Sequence, residues 1–371
     1  MPLYLTDDQV MLRDTARGFM GEEGAIAKEL RPLRDSGSGD GFGRGLWKQF
    51  GEMGFNGILI EEADGGLGLG HVEAGIVLEE IGRNLTPSPF LTSAVAFVQA
   101  LKGTRLRERW FPGILSGEAV AAVALDEGPK HRPESIAMRA ERSGNGFRLS
   151  GRKQFVVHGA SADVTLVAAR TEEGLTLFAV EKGARGLEVE GIRLADASIG
   201  ARMTFDGVEV DADAVVGEVG GGEAVLSRVL AAGRTGAAAE LVGVGSAAMD
   251  MTVAYLKQRK QFGRLIGEFQ ALQFRSAHLY SEIEIARAAT LKAQQLLDEG
   301  SDEAEAMVAV AKAKAGRASA LAVQEGVQMH GGIGMTDEYD IGLYMKRDRV
   351  LNELFGDPAY HSDRLARMKG Y

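Results

Sequence analysis

The chain has 371 residues, of which 45% are apolar and 25% are charged, and its formal net charge is −10. This length allows two or three domains, and the negative charge argues against a general affinity for nucleic acid. Cysteine is absent, which excludes disulfides, thiolate metal sites and cysteine nucleophiles, and no metal site is predicted. The N-terminal residues carry neither a signal-peptide nor a transit pattern. No apolar run reaches the length of a membrane span, so a cytoplasmic protein without membrane contact is predicted.

Helical and β-type patterns occupy separate parts of the chain. A capping box formed by Thr6 and Gln9 precedes apolar residues at helical spacing, and helical segments are predicted as far as residue 115. From about residue 118, short β-type runs alternate with glycine-rich turns, which indicates an antiparallel barrel or sandwich. The prediction is an α+β protein with an N-terminal helical domain (1–116), a central β-domain (117–221) and a C-terminal four-helix bundle (222–371).

The stretch from Glu223 to Gly263 predicts a single helix of about forty residues, because it lacks proline and stays apolar over about ten turns. Its Gly and Ala residues would let another backbone or a flat ligand approach closely. Glu240 lies in the middle of this apolar stretch, where a carboxylate is costly to bury. It is therefore a candidate functional residue. The alternative is a buried acid paired with an Arg or Lys of a neighbouring helix.

Two further clusters carry groups that suit a pyrophosphate or adenosine. The first runs from Tyr255 to Gly263, where Arg259 offers a bidentate fork and Phe262 a ring face. The second runs from Gln328 to Thr336, where glycines would let the backbone lie against a ligand and Gln328 would act as a polar clamp. The structural alternatives are a solvated helix–turn–helix and a helix C-cap.

Together, the signatures YxxxRxQFG…FQ and QxHGGxG resemble those of the acyl-CoA dehydrogenase family, and the resemblance covers nearly the whole chain. It implies a FAD-dependent enzyme that forms a trans-2,3 double bond in an acyl-CoA and assembles as a dimer or a dimer of dimers. It also implies that six residues hold the ADP half of a neighbouring subunit's FAD. These residues are Arg259, Gln261, Phe262, Gln328, Gly331 and Gly332.

The resemblance also implies that residues 151–159 of the β-domain form the wall of the flavin site. Phe155 stands where the family usually has a Trp, and Val157 stands where it usually has a Thr or Ser, with Val156 between them. A second matching segment, residues 121–128, has Leu125 in place of the family's Thr and lacks its Gly-Ser-Asp. These departures weaken the prediction that the chain binds a full FAD by itself.

The reaction needs a carboxylate base, and the two places where the family carries its Glu are both glycine here. The usual turn matches residues 354–358, in which Gly356 replaces the Glu, and the second place is Gly233, just before Arg234. Glu240 lies seven residues after Gly233, within about 20° of the same helix face and about 10 Å further along. Arg234 and Ala237 on this helix are predicted to contact the substrate.

Three possibilities for the base follow from this pattern. Glu240 is the base, Asp357 is the base, or the chain carries no functional base. The alternative role of Asp357 is to cap the last helix, with Pro358 at its first position.

The predicted function is therefore α,β-dehydrogenation of an acyl-CoA, with a bulky acyl group such as a steroid side chain, in a homo- or hetero-oligomer. The expected electron acceptor is an electron-transfer flavoprotein. The main alternative is a non-catalytic subunit that completes a partner's FAD site, which Leu125 and Val157 favour. Glu240 and Phe155 favour the enzyme. An oxidase or monooxygenase on the same scaffold is a third possibility.

Overall fold

The computed structural model of the protein describes residues 3–37 and 39–371. Helices come first in the chain, a block of strands follows, and helices complete it. The helical bounds are α1 Asp7–Glu22, α2 Arg31–Ser36, α3 Arg44–Glu52, α4 His71–Asn84, α5 Val98–Leu101, α6 Leu106–Leu115, α7 Gly222–Leu256, α8 Gln270–Asp298, α9 Ala304–His330, α10 Ile341–Glu353 and α11 Pro358–Met368. The predicted order of helices, β-domain and helices is confirmed.

The strands form one large sheet and one small hairpin within the described residues. Their bounds are β1 Ala121–Ala124, β2 Arg139–Ser143, β3 Gly146–Val157, β4 Val164–Thr171, β5 Gly174–Glu181, β6 Leu187–Arg193, β7 Ile199–Val210, β8 Val215–Val216, β9 Lys260–Gln261 and β10 Arg264–Leu265. The large sheet has the order β6-β7-β3-β2-β4-β5-β8, with β1 also paired to β4.

This sheet is mixed rather than purely antiparallel, which corrects the prediction. β1 pairs with β4 in parallel, with Ala121 opposite Val164, because the β2–β3 hairpin lies between them in the chain. The remaining long pairings are antiparallel, and apolar side chains such as Phe147, Val156 and Phe178 form the core of the β-domain.

The long helix α7 ends earlier than predicted. It stops at Leu256, and the residues after it form the short β9–β10 hairpin instead of continuing the helix to Gly263. Phe262 and Gly263 at the hairpin turn both have positive φ values, 53° and 77°. Two such residues in succession cannot continue a right-handed helix.

The composition of α7 also corrects the prediction that no apolar run reaches the length of a membrane span. By length and hydropathy α7 is apolar enough to cross a membrane, and 67% of its most apolar window is buried within the protein. This burial is what a core helix shows, and the hydropathy of α7 follows from its place in the interior.

The described chain divides into two compact units. One unit comprises residues 1–28, 71–86 and 234–371, and the other comprises residues 29–70 and 87–233. In the first unit, α4 packs against both α1 and α8. The predicted N-terminal helical segment therefore contributes to both units. The three-domain division by sequence position remains a prediction.

The glycines of α4 and α7 in the first unit allow these two helices to cross at close range. A Cβ atom on Gly243 would overlap the carbonyl oxygen of Glu79, and one on Gly82 would lie 3.0 Å from the carbonyl carbon of Glu240. Of the two roles predicted for the small residues of α7, close approach of another backbone is confirmed at this crossing.

We expect Gly243→Ala to lower the free energy of unfolding by about 1–3 kcal/mol, because the added methyl overpacks the crossing. The matched control is Gly18→Ala in α1, where an added Cβ meets no atom of the described residues within 4 Å. That change should raise stability by about 0.5–1 kcal/mol through helix propensity. Urea unfolding of both variants measures the difference, and equal effects would contradict the close crossing.

Candidate active site

Glu240 lies in the middle of α7, and its residue is only 1% exposed. Arg347 of α10 donates to Oε1 of Glu240 through Nε at 2.7 Å and is 2.6 Å from the same oxygen through Nη2. A buried carboxylate needs such compensation, since an uncompensated charge in the interior is strongly unfavourable. The alternative role named for Glu240, a buried acid paired with an arginine of another helix, is therefore present. Its role as base remains a prediction.

The turn after α10 leaves no room for a side chain at position 356. Its φ is 105°, which favours glycine, and a Cβ there would lie 2.6 Å from Cδ1 of Tyr360 and 2.9 Å from Nε2 of His361. The ring of Tyr360 thus closes the space that a side chain at 356 would need.

Asp357 begins α11 as its N-cap, and its Oδ1 accepts a hydrogen bond from the backbone N–H of Tyr360 at 2.8 Å, with Pro358 at the first helical position. The capping role predicted as the alternative for Asp357 is confirmed. In this geometry the carboxylate caps α11, and its role as base remains a prediction.

Arg234 is buried and holds the same turn from α7. It donates through Nε to the carbonyl oxygen of Phe355 at 3.3 Å and through Nη2 to the hydroxyl of Tyr360 at 3.2 Å. Its guanidinium also lies over the Tyr360 ring, 5.5 Å from the ring centroid. Burial lowers the pKa of Arg234 to about 10. Ala237 is fully buried one turn further along. Contact of either residue with a substrate remains a prediction.

Lys312 of α9 is a second cation at this turn, and sequence reasoning missed it. It is fully buried and donates to the carbonyl oxygens of Leu351, Asn352 and Gly356 at 2.9, 3.3 and 3.0 Å. Burial lowers its pKa to about 7. Burial likewise raises the pKa of the nearby Asp348 to about 6. The helical period of α9, which places residue 312 on its apolar face, was the signal available in the sequence.

The two signature clusters lie side by side in the first unit. Tyr255 of the first cluster stacks against His330 of the second, with ring centroids 4.6 Å apart. His330 is buried and hydrogen-bonds the carbonyl of Gly326 at 2.7 Å and the hydroxyl of Tyr339 at 3.1 Å. Burial lowers the pKa of His330. These contacts fix the position of one cluster against the other.

Several groups of these clusters are directed outward. Arg259, Gln261 and Gln328 are exposed. Phe262 is 91% exposed at the tip of the β9–β10 hairpin. Gly331 has a φ of 64°, and Cβ atoms on Gly331 and Gly332 would meet no described atom within 4 Å. A guanidinium, a ring face, an amide and open backbone are thus available on the surface of this unit.

In the β-domain, Phe155 sits at an irregularity of β3, where the register against β7 shifts between Lys153 and Val156. It is half-buried with a φ of 53°. The side chains of Val156 and Val157 are buried, and Val157 pairs with Gly200. Because their side chains are apolar, these valines can offer a ligand only backbone hydrogen bonds.

Two buried polar side chains in the β-domain unit, His158 and Lys153, make contacts that were not found from the sequence. His158 follows β3 with a φ of 61°, and its Nδ1 lies 3.1 Å from the hydroxyl of Thr92 in a buried setting. Lys153 is also buried and donates to Oε1 of Glu127 at 2.7 Å and to the carbonyl of Leu125 at 3.2 Å. Lys153 therefore fixes the position of residues 121–128, the segment that departs from the family pattern.

Family models cover most of the chain. The acyl-CoA dehydrogenase N-terminal, middle and C-terminal domain models match residues 6–118, 127–208 and 220–369. The chain belongs to the acyl-CoA dehydrogenase family. It is therefore an oxidoreductase, and the family is FAD-dependent, as predicted.

Similar proteins cover nearly the full length of this chain. The cyclohex-1-ene-1-carbonyl-CoA dehydrogenase of Geobacter metallireducens is 30% identical over 371 residues, with 95% of each chain covered. A variant of the Tcur3481-Tcur3483 steroid ACAD has a TM-score of 0.90 at 30% identity, with 98% of each chain covered. The ChsE4-ChsE5 complex from Mycobacterium tuberculosis has a TM-score of 0.92 at 26% identity, with full coverage of both chains.

The outward-facing groups of the two signatures fit the ADP part of FAD. Arg259 can grip a diphosphate as a fork, Phe262 offers a ring face, and the side-chain-free backbone at Gly331 and Gly332 can lie against the nucleotide. The β-domain wall fits less fully, because Val157 lacks the hydroxyl that relatives usually supply. The residues present thus fit the nucleotide half of the predicted site better than the flavin half.

Proposed function

We propose that this chain catalyses the α,β-dehydrogenation of a bulky acyl-CoA, such as one with a steroid side chain, with Glu240 as the base. The observation that carries the proposal is a carboxylate buried in the centre of α7, while both places where the family usually has its base are glycine. Gly356 in the usual turn has no room for a side chain beside Tyr360. Glu240 is the acid that the helix face of Gly233 offers instead.

In the proposed reaction, Glu240 removes the α-proton of the thioester. Arg347 donates to Oε1, and its guanidinium balances the charge of the resting carboxylate. The buried position excludes water from the reacting carbon. FAD bound at this site would supply the acceptor for the β-hydride. Arg234 and Ala237 precede Glu240 on the same helix and would line the acyl pocket.

Two observations support a bulky acyl group. Both usual base positions are glycine, and similar proteins are named for bulky acyl groups. One relative is named for a cyclohexene carbonyl-CoA and one structural neighbour for a steroid. We further propose that the protein acts in the cytoplasm as a homo- or hetero-oligomer, dimer or tetramer, in which Arg259, Phe262 and Gln328 reach a neighbouring subunit's FAD. An electron-transfer flavoprotein would accept the electrons.

The direct test is anaerobic flavin reduction by the complete enzyme, assembled with whichever chain co-purifies with it. We expect a steroid side-chain CoA thioester to reduce the flavin at least about tenfold faster than butyryl-CoA, a difference of about 1.4 kcal/mol in the barrier. Equal rates would contradict the assignment of a bulky substrate. Absence of reduction by any acyl-CoA would contradict the reaction itself.

A second candidate is a non-catalytic subunit that completes its partner's FAD site. The ion pair between Glu240 and Arg347 favours it, because a compensated carboxylate is a stable structural element. The flavin-to-chain ratio separates the two candidates. One FAD per chain in the protein expressed alone supports the enzyme, and one FAD per pair of unlike chains supports the partner subunit.

Arg259→Gln should weaken FAD binding by about 10- to 100-fold, because a charge-assisted hydrogen bond contributes about 1.5–3 kcal/mol. The matched control is Arg264→Gln in the same hairpin, where the guanidinium stacks on Phe269 at 4.0 Å. FAD retained after dialysis, measured by visible absorbance, reports the effect. Equal losses in both variants would point to general charge rather than a fork at Arg259.

A further inference from the structure

The first unit contains a cleft between α1, α4, α7 and α8. Its volume is about 350 Å³, and the chain from Leu3 to Leu5 forms part of its wall. None of the described residues proposed above for proton transfer or FAD binding lines it. A cleft of this size lies at the lower end of the range for small-molecule sites.

The cleft runs along α4 and differs in character at its two ends. On α4 it extends from Gly75 to Arg83, which are eight residues or about 12 Å apart. α8 runs in the opposite direction, so that Gln294 lies over Gly75 and Arg287 pairs with Glu79. The Gln294 amide therefore lies at the Gly75 end and Arg17 lies toward the Arg83 end, with Arg13 one turn before Arg17 on α1.

The floor of the cleft is largely apolar, with Ile76, Val242 and Leu291 among its lining residues. Gly75 leaves the space that the Gln294 amide fills, because a Cβ there would overlap that amide. Gln294 is only 5% exposed, yet its side chain lines the cleft, and none of the described residues forms a hydrogen bond with its amide.

Arginines outnumber glutamates among the charged residues that line the cleft, and Arg83 and Arg287 also pair with Asp250 and Glu284 outside the lining. The charged lining residues of the cleft are Arg13, Arg17, Arg83, Arg287, Glu79 and Glu80. Arg17 and Arg13 lie one turn apart on α1, and Arg17 forks onto the buried Glu80 at 2.8 Å. Arg13 contacts only the exposed Asp14 among the described side chains. A surface pair of this kind contributes little, so the Arg13 guanidinium can exchange Asp14 for a ligand.

We propose that this cleft binds a small amphipathic organic anion, a monocarboxylate whose apolar tail covers the floor and whose carboxylate meets the arginine groups. An apolar floor of about 12 Å matches a medium-length chain, and guanidinium recognises carboxylate in a bidentate geometry. An ammonium compound of the same length would face like charges and is disfavoured. The proposal is independent of the dehydrogenase reaction.

Isothermal titration of the FAD-loaded enzyme with octanoate tests the proposal, with octanol and octylamine as matched neutral and cationic probes. We expect saturable octanoate binding, at least about tenfold weaker binding of octanol, and none of octylamine. Leu291→Phe, which fills the cleft, and Arg13→Gln, which removes its least engaged guanidinium, should each weaken octanoate binding about three- to tenfold or more. Arg349→Gln, an exposed arginine of the same unit, should leave it unchanged.

The proposal is overturned if octanoate fails to bind at millimolar concentration. It is equally overturned if Leu291→Phe and Arg13→Gln bind octanoate as the wild type does, since the carboxylate would then occupy another place, such as the acyl-CoA site. Loss of binding in Arg349→Gln as well would mean that general charge attracts the anion. Thermal melting and FAD content of each variant verify that the fold is intact.

Discussion

Replacing Glu240 by Gln should slow anaerobic flavin reduction by about 10²- to 10⁴-fold, the range that a general base contributes. Gln has nearly the same shape as Glu, so the acyl pocket keeps its form while the proton acceptor is lost. Stability should also fall, because Arg347 loses the carboxylate that it contacts at 2.6 Å and breaking a buried pair costs about 3–5 kcal/mol. Stopped-flow absorbance of the flavin measures the chemical step apart from this loss.

Two matched variants separate catalysis from structure. Asp348→Asn removes a buried carboxylate next to Arg347 in the sequence that accepts from Asn352 at 3.0 Å, and it should leave the rate of flavin reduction unchanged. Asp357→Asn keeps an N-cap, since Asn caps as well as Asp, but cannot accept a proton. A rate loss in Asp357→Asn together with an unaffected Glu240→Gln would move the base to the turn. Unchanged rates in both would leave this chain without a base.

Lys312→Met should change how stability depends on pH. The folded pKa of Lys312 is about 7, below the ordinary value of about 10.4. Between these values the unfolded chain binds more protons than the folded one, so the wild type gains stability as pH rises through this window. At about 1.4 kcal/mol per pKa unit, the free-energy difference between wild type and Lys312→Met should shift by as much as about 4 kcal/mol in favour of the wild type.

Urea unfolding of both proteins between about pH 7 and about pH 10 gives this difference. Lys314→Met is the control, because Lys314 lies on the same helix but pairs with Glu282 at a partly exposed position. Its difference from the wild type should stay nearly constant in this window. Parallel curves for the wild type and Lys312→Met would show that the ammonium remains charged in its buried site, which would contradict the lowered pKa.

The sequence was sufficient for the fold class because long periodic patterns decide helices and short alternating runs decide strands. It failed where a few backbone angles override the pattern. The end of α7 was misplaced by about seven residues because the chain leaves the helix at Leu256 and forms a hairpin, whose turn contains the positive φ values of Phe262 and Gly263. The parallel pairing of β1 with β4 depends on how distant strands meet, which local spacing does not encode.

The candidate site was predictable in its residue types but not in its contacts. Glu240 stood out because a lone acid in an apolar helix is unusual, yet nothing in the sequence named Arg347 as its partner more than a hundred residues away. The carbonyl cluster that receives Lys312 is backbone, and backbone acceptors leave no mark on side-chain patterns. Tyr360 gained its significance only through the space that it fills beside Gly356.

The packing of Tyr360 on Gly356 bears on how the site can evolve. A glutamate regained at position 356 would meet a φ of 105° and a ring only 2.6 Å from its Cβ. Reversion by one substitution therefore carries both strain and collision, and a viable path must first shorten Tyr360. That change would in turn remove the hydroxyl that accepts from Arg234. The glycine and the tyrosine are thus epistatically coupled: a glutamate at position 356 is accommodated only if residue 360 changes as well.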